Sequence, residues 1–369
     1  MEVAYLSGAY KNAGDFLIEE RANALLKYVI PDIKINRYLR SELKENLGEI
    51  NENDAIVFGG GPLYMSNLDG YLPLNECIEK ITTPIMVMGA GWYGLFGGYD
   101  LTYQYKFTPL TLKFLQKIDN EGYGLSCRDI YSVRTLNKEG LKNVVMTGCP
   151  AWYDLENIHN TDGRIGAWSI KKIMVSDPAN HSNYDHAVRV LEYLKHAFPN
   201  AEIVFVFHRG MNADNYTSQK EGSNLQELVK RINKMNIQTI DISYGSNGFD
   251  IYNDCDLHVG FRVHAHIYNL SIRNRTILIE EDGRGAGVNQ ALGIPALKAY
   301  NDAFQIQNRN FQRVYRRIPN HQYNHLVEDL DSYIKVLQDT DDQYLKNAFL
   351  LQEKYFDCMV SYVKKLQIG

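Results

Sequence analysis

The sequence holds no CxxC pair, no Gly-Lys-Ser/Thr phosphate loop, no internal repeat and no low-complexity stretch. Its five cysteines (Cys77, Cys127, Cys149, Cys255 and Cys358) are odd in number and scattered. That argues against a disulfide framework and predicts a reducing, cytoplasmic setting. No apolar run approaches the ~18 residues a membrane span needs, so association with a membrane is expected to be peripheral at most. The opening MEVAYLSG lacks a basic segment followed by an apolar one, so no signal peptide is expected. Neither charge sign dominates: 39 basic against 44 acidic side chains leave −5. A general affinity for nucleic acid is thereby excluded, and any anion site must be local, built from a few placed cations.

A chain of 369 residues with 45% hydrophobic side chains can bury two domain cores. Met1–Leu6 reads as a strand and Asp15–Val29 as a helix, with apolar residues at Leu17, Ile18, Ala22, Leu25, Leu26 and Val29. Strands follow at Asp54–Phe58, Pro84–Met88, Gly124–Cys127 and Asn143–Thr147, with a helix at Leu110–Asn120. Periodicity fades into a polar stretch around Glu156–Ser169 and then restarts. Lys172–Ser176, Ala201–Phe207, Gln238–Asp241, Asp256–Val259 and Thr276–Glu280 read as strands. Tyr184–His196, Leu225–Met235 and His264–Ile272 read as helices, and Asp341–Leu366 as a long amphipathic one. Alternation of this kind predicts parallel sheets with helices on both faces. The expected division is 1–165 and 166–340, two Rossmann-like domains, followed by a C-terminal helix at 341–369. Composition and spacing specify no oligomeric state.

In open α/β sheets ligands bind beyond the carboxyl ends of strands, so the loops there hold the candidates. Asn12-Ala13-Gly14-Asp15 follows the first strand, and Asp15 suits either a helix N-cap or a cleft carboxylate able to deprotonate a hydroxyl. The exits FGGGPLY (58–64) and MGAGWYG (88–94) let backbone amides of Gly60 and Gly61 approach a ligand, or simply turn the chain. Trp92, Tyr93 and Tyr64 beside them suit stacking on a sugar ring or packing. In Ser126-Cys127-Arg128-Asp129, Arg128 stands before a helix, as an anion grip or as half of a surface ion pair. Gly260-Phe261-Arg262-Val263-His264-Ala265-His266 opens a helix, where free amides and partial positive charge favour anions. His264 there is either a proton donor or a histidine held by backbone. His208, with Arg209 and Gly210, ends an apolar strand and is expected to face the cleft. Asp254, Asp256 and His258 alternate along one strand near His266, but two histidines two residues apart on a helix diverge, so no metal site is expected.

In their order, NAGD, AIVFGGGPLY, the GAG exit, SCRD, TGCPA (147–151) and GFRVHAHIYN make the chain resemble the polysaccharide pyruvyl transferase family over residues 5–295. The resemblance implies a GT-B-like pairing of the two lobes. It implies transfer of the enolpyruvyl carbons of phosphoenolpyruvate to a sugar diol of a cell-surface polysaccharide or its lipid-linked precursor, with release of phosphate and no cofactor. Carried over, Arg128 and Arg262 clamp the donor's phosphate and carboxylate, and His264 is the general acid; Val263 and His208 are further expected donor contacts. Asp15, Asn12, Gly60, Gly61 and Trp92 fall on the acceptor side. Two departures stand out: EEDGRGAGVNQALG after Thr276–Glu280, where relatives carry a tyrosine- and lysine-bearing stretch, and Cys149 in place of a small or acidic residue. Other expectations remain open on the same scaffold: a nucleotide-sugar glycosyltransferase, or a non-catalytic sugar-binding protein.

Overall fold

Short apolar runs separated by amphipathic ones give two parallel sheets, each padded by helices. The computed structural model describes residues 1–93, 102, 104–160, 165–300, 304–309, 312–317 and 325–368. The first sheet contains β1 (Glu2–Ser7), β2 (Lys34–Leu39), β3 (Ala55–Gly59), β4 (Pro62–Tyr64), β5 (Ile85–Trp92), β6 (Leu125–Cys127) and β7 (Val144–Met146). Its order is β2-β1-β3-β5-β6-β7, with β4 alongside β5. The second contains β8 (Lys172–Ser176), β9 (Glu202–Phe207), β10 (Gln238–Asp241), β11 (Leu257–Gly260), β12 (Thr276–Glu280) and β13 (Leu297–Lys298), ordered β10-β9-β8-β11-β12-β13. The central strands β3, β5, β11 and β12 are buried along their whole length, as expected of strands covered on both faces. A separate antiparallel pair joins β14 (Phe304–Arg309) to β15 (Gln312–Arg317).

In each sheet the order reverses once, between β1 and β3 in the first and between β8 and β11 in the second. The loops leaving those strands splay apart and leave a crevice at their carboxyl ends. They are the segments carrying Gly8–Gly14, Gly60-Gly61, Asp177 and Arg262.

Among the described residues the α-helices of eight residues or more are α1 (Ala13–Val29), α2 (Pro109–Glu121), α3 (Ile130–Lys138), α4 (Tyr184–Ala197), α5 (Gln219–Asn233), α6 (Val263–Ser271), α7 (Gly283–Leu292), α8 (Leu326–Asp339) and α9 (Gln343–Val363). One apolar core runs from Val3, Tyr5 and α1 through the second sheet to α9, so the lobes share packing rather than standing apart. Tyr362 on α9 donates to the Gly124 carbonyl (2.9 Å) and accepts from the Val87 amide (3.3 Å), which ties the chain's last helix back onto the first sheet.

Several elements escaped the sequence reading, among them β2, α7 and α8. β2 alternates only weakly, being an edge strand with partly exposed side chains. α7 lies in the glycine-rich departure segment, where its glycines serve close packing: a Cβ on Gly287 would lie 2.8 Å from Asp129 Cγ. α8 precedes α9, so the tail holds two helices rather than one. Of the expected inter-domain stretch, Asp162-Gly163-Arg164 lies outside the described residues, as does Gly94 of the second glycine-rich exit.

Arg273 is fully buried after α6 and has φ +62°. It donates to the carbonyls of Ile158, Asn160 and Leu270 and to Gln352 Oε1 (2.7 Å), joining the inter-lobe segment, α6 and α9. Arg273→Ala should cost about 3 kcal/mol, because several buried acceptors lose a charged donor together. Urea unfolding measures it, and a loss below ~1 kcal/mol would contradict the arrangement.

Candidate active site

The first lobe's contribution starts at the β1–α1 turn. Asn12, rather than Asp15, occupies the N-cap, with extended φ and ψ of −68° and 123° and no side-chain capping bond. Asp15 lies in the first helical turn, so the capping reading of Asp15 does not hold. This turn meets the second lobe: the Ala13 amide donates to the His208 carbonyl at 2.9 Å. A Cβ on Gly14 would lie 2.0 Å from His264 Nδ1, so glycine here allows the helix start to close on the imidazole. Gly14→Ala should displace His264 and lower turnover by at least ~10-fold at a stability cost of about 1–3 kcal/mol. Paired rate and denaturation measurements test this, and unchanged turnover would contradict the contact.

Arg128 and Asp129 come from the β6–α3 turn and are 3% and 0% exposed, so the expected surface ion pair is in fact buried. Asp129 caps α3 by accepting from the Ser132 amide (2.8 Å) and hydroxyl (3.0 Å). Arg128 Nε reaches it at only 3.4 Å. Gly91 permits the approach of that arginine, since a Cβ there would sit 2.0 Å from Arg128 Nε.

The second lobe supplies Arg262, which caps α6 with its backbone. Its guanidinium grips Asp177 with two bonds, Nε–Oδ1 2.7 Å and Nη2–Oδ2 2.5 Å. Asp177 is itself buried and accepts from the His208 amide (3.1 Å), so the arginine is held on one side and its Nη1 is left without a partner among the described residues. A fixed fork of this kind is set to bind a second anion. Val263 and His264 then form the first turn of α6.

The sequence reading missed Arg284. It stands in the first turn of α7, clamped to Asp282 at 3.0 and 2.6 Å, with its guanidinium 5.8 Å from the exposed ring of Tyr93. The signal was available, because Asp282-Gly283-Arg284 exits β12 just as Arg262 exits β11. Arg40, which follows the unrecognised β2, was missed for the same reason as that strand.

Electrostatics bring these groups together. Burial lowers His264 to about 3, and Arg128, Arg284 and Arg262 push the same way in that order. Three guanidinium groups from separate turns therefore press on one imidazole, whose Nε2 is buried without a partner among the described residues. Asp15 feels Arg40, Arg209 and Arg284, while burial raises its carboxyl. The Gly14 turn that precedes Asp15 closes on His264, and the charge of Arg284 bears on both groups. Glu281, next to Asp282, is pushed up to about 7 by burial even though it accepts from Asn183 (2.6 Å) and from the Ala179 amide (2.7 Å).

Several expectations fail. Trp92 is 1% exposed and packs against Tyr105 and Tyr131, and Tyr64 is buried with its hydroxyl on the Ser126 carbonyl, so neither stacks on a ligand. Of the three rings singled out, Tyr93 alone is exposed, at 45%. His208 faces inward, not into the cleft: it is fully buried, bonded to Tyr252 Oη at 2.8 Å and packed on Phe249. Asp254 and Asp256 precede β11 instead of alternating along it, and Asp256 caps the Lys171 and Lys172 amides. His258 and His266 share Thr276 Oγ1 in a buried polar cluster, at 2.7 and 2.9 Å. Among the described residues no group of three or more His, Cys, Asp or Glu is placed to hold a metal. A cavity of about 290 Å³ beside Asp254, Asp256 and Arg275 opens at the amino ends of β8 and β11, the wrong end for this site.

The buried histidines make the fold acid-sensitive. His264 and His266 are lowered to about 3, and His208 and His258 well below 6.5, chiefly by burial. Each is neutral when folded but binds a proton below about pH 6.5 when unfolded. Their stabilisation is complete above that pH and is lost as pH falls towards 3. Glu281, raised instead, stabilises at low pH and loses its effect as pH rises through about 7. The histidines predict a melting temperature that drops between pH 6.5 and 4.5, against the raised carboxyls of Glu281, Asp15, Asp129 and Asp342; a flat profile in a thermal scan would contradict their dominance.

Two parallel sheets meeting at a crevice at their switch points, lined by arginines from both lobes, define a GT-B-like scaffold. The family profile described as Polysaccharide pyruvyl transferase matches residues 12–268, and the chain belongs to that family. Among solved structures it is similar to UDP-GlcNAc 2-epimerase from Neisseria meningitidis bound to UDP-GlcNAc, at 12% identity and TM-score 0.55 with 100% of both chains covered. A putative UDP-N-acetylglucosamine 2-epimerase from Listeria monocytogenes gives 7% and 0.52 over 94% of this chain and 90% of that one. The S. aureus MnaA–UDP structure gives 11% and 0.50, with the same coverages. These likenesses describe the fold. No curated protein matches the sequence. Among the described residues no helix is long and apolar enough to cross a membrane.

Proposed function

We propose that this chain transfers the enolpyruvyl carbons of phosphoenolpyruvate to two hydroxyls of a sugar in a cell-surface polysaccharide or its precursor, in the cytoplasm and without a cofactor. The observation carrying the reading is the convergence of Arg128, Arg262 and Arg284 on His264. Phosphoenolpyruvate carries two to three negative charges on two groups, and a fixed set of guanidinium groups matches phosphate and carboxylate geometry. Arg128, Arg262 and the first-turn amides of α6 at Val263 hold the donor, with Arg284 beside them.

Burial, and after it the arginine field, keep His264 neutral in the empty site. An incoming trianion offsets that field, so the imidazole gains a proton as the donor binds. His264 then gives this proton to the terminal methylene, which becomes a methyl group, while the first sugar hydroxyl adds to C2. Asp15, partly buried and raised in basicity, takes that hydroxyl's proton. The C2–O bond to phosphate breaks and the second hydroxyl closes the ketal. One hydroxyl proton makes good the one lost by His264, and the other leaves with phosphate. Asn12, Gly60 and Gly61 border the acceptor.

Incubation with phosphoenolpyruvate and a panel of glycosides bearing free diols should release inorganic phosphate only when both are present. Thermal stabilisation by uridine diphosphate, with none by phosphoenolpyruvate, would favour the nucleotide-sugar reading instead.

A further inference from the structure

Arg128, Arg262 and Arg284 each have a carboxylate partner, whereas Arg40 has no carboxylate within 4 Å among the described residues. Its Nε donates to the Leu6 carbonyl (3.3 Å) and Nη2 to the Gly60 carbonyl (3.0 Å), and its guanidinium lies 5.5 Å from the Phe58 ring centre. Those bonds fix the fork at the β1/β3 switch point but leave Nη1 unused. Burial disfavours its charged form. A half-buried, immobilised guanidinium without a counter-ion is costly for a fold to hold unless something binds it. The space before it is open: a Cβ on Gly61 would meet only Arg40 Nη1 at 3.8 Å and Nη2 at 3.9 Å. Gly8 leaves just enough room for the guanidinium to lie flat, as a Cβ there would stand 3.3 Å from Cζ.

The acceptor side carries further marks. Asp15 is the carboxylate whose charge reaches Arg40. Tyr10 bonds Ser41 at 2.9 Å next to Arg40, and its ring neighbours Tyr216, which neighbours Tyr244; the latter two are 52% and 50% exposed. Exposed rings beside a cleft suit pyranose faces.

We propose that Arg40, with Gly8 and Gly61, is an anion subsite on the acceptor side, so that the sugar receiving the ketal bears a carboxylate or phosphate near its diol. This rests on the reading of Asp15 as the acceptor's partner. A bidentate guanidinium serves either group, and the test separates them.

Wild type and Arg40→Gln are compared on four acceptors: a uronic acid glycoside with a free vicinal diol, its methyl ester, the neutral parent glycoside and the parent sugar 1-phosphate. Loss of a charged hydrogen-bond pair predicts that the ratio of kcat/KM for the anionic acceptor over its neutral form falls about 10–100-fold in the variant. Preference for the uronate identifies a carboxylate, and preference for the 1-phosphate identifies a phosphorylated or diphosphate-linked acceptor. Calorimetric binding of phosphoenolpyruvate to both proteins, with melting curves to show that Arg40→Gln folds, isolates the donor step. If phosphoenolpyruvate binds neither protein, the transfer reading itself fails. If it binds and wild type takes neutral acceptors as well as anionic ones, or the ratio is unmoved by Arg40→Gln, the subsite is overturned.

Discussion

His264→Ala should cut the rate of phosphate release by ~10²–10⁴-fold while leaving phosphoenolpyruvate bound, because the imidazole acts in the protonation step. Its position makes this more than a generic histidine effect. The side chain is pinned between the Gly14 turn of one lobe and three arginines, and its Nε2 is buried with nothing to bond among the described residues. His208, His258 and His266 each hold a partner on at least one ring nitrogen, whereas neither ring nitrogen of His264 does among the described residues. His264→Gln offers a hydrogen bond but no titratable proton, so it should be about as slow as alanine. Recovery of most of the rate by glutamine would reduce His264 to a hydrogen-bond donor.

Replacing the arginines should act on the donor instead. Arg128→Gln is expected to weaken phosphoenolpyruvate binding by about 1.5–3 kcal/mol, roughly 10–150-fold in Kd. Arg262 needs a different substitution. Glutamine there would strand the buried Asp177 carboxylate, and breaking such a pair costs ~3–5 kcal/mol of stability, which confuses folding with binding. Arg262→Lys keeps a charge for Asp177 but loses the two-pronged geometry, so its Kd should rise by a similar factor with the melting temperature nearly kept. Calorimetry on both variants reads this directly, and an unaltered Kd removes that arginine from the donor site.

The legible parts of this protein are those where a residue's job is local. Buried parallel strands such as Lys172–Ser176 and Thr276–Glu280 announce themselves as short apolar runs, and their strand-exit glycines mark where a crevice opens. Arg262 and His264 were readable because a helix start after a strand is itself an anion site. Partners chosen by tertiary packing stayed hidden. Nothing near Asp177 in the chain says that it grips Arg262, 85 residues on. Trp92 looks like a sugar platform until β5 is seen to carry it under the sheet's edge. Arg284 was obscured because Gly283, Gly285 and Gly287 suggest a loop. They lie instead in a helix whose glycines let the neighbouring lobe come close.

The account turns on burial and positive charge from separate turns together holding one imidazole unprotonated until an anion arrives. Titrating phosphoenolpyruvate into the protein near pH 7, in two buffers of different ionisation enthalpy, counts the protons exchanged on binding. Uptake of up to about one proton, abolished in His264→Gln with binding retained, is the predicted result. Binding with no proton uptake, or no binding heat at all, would contradict it.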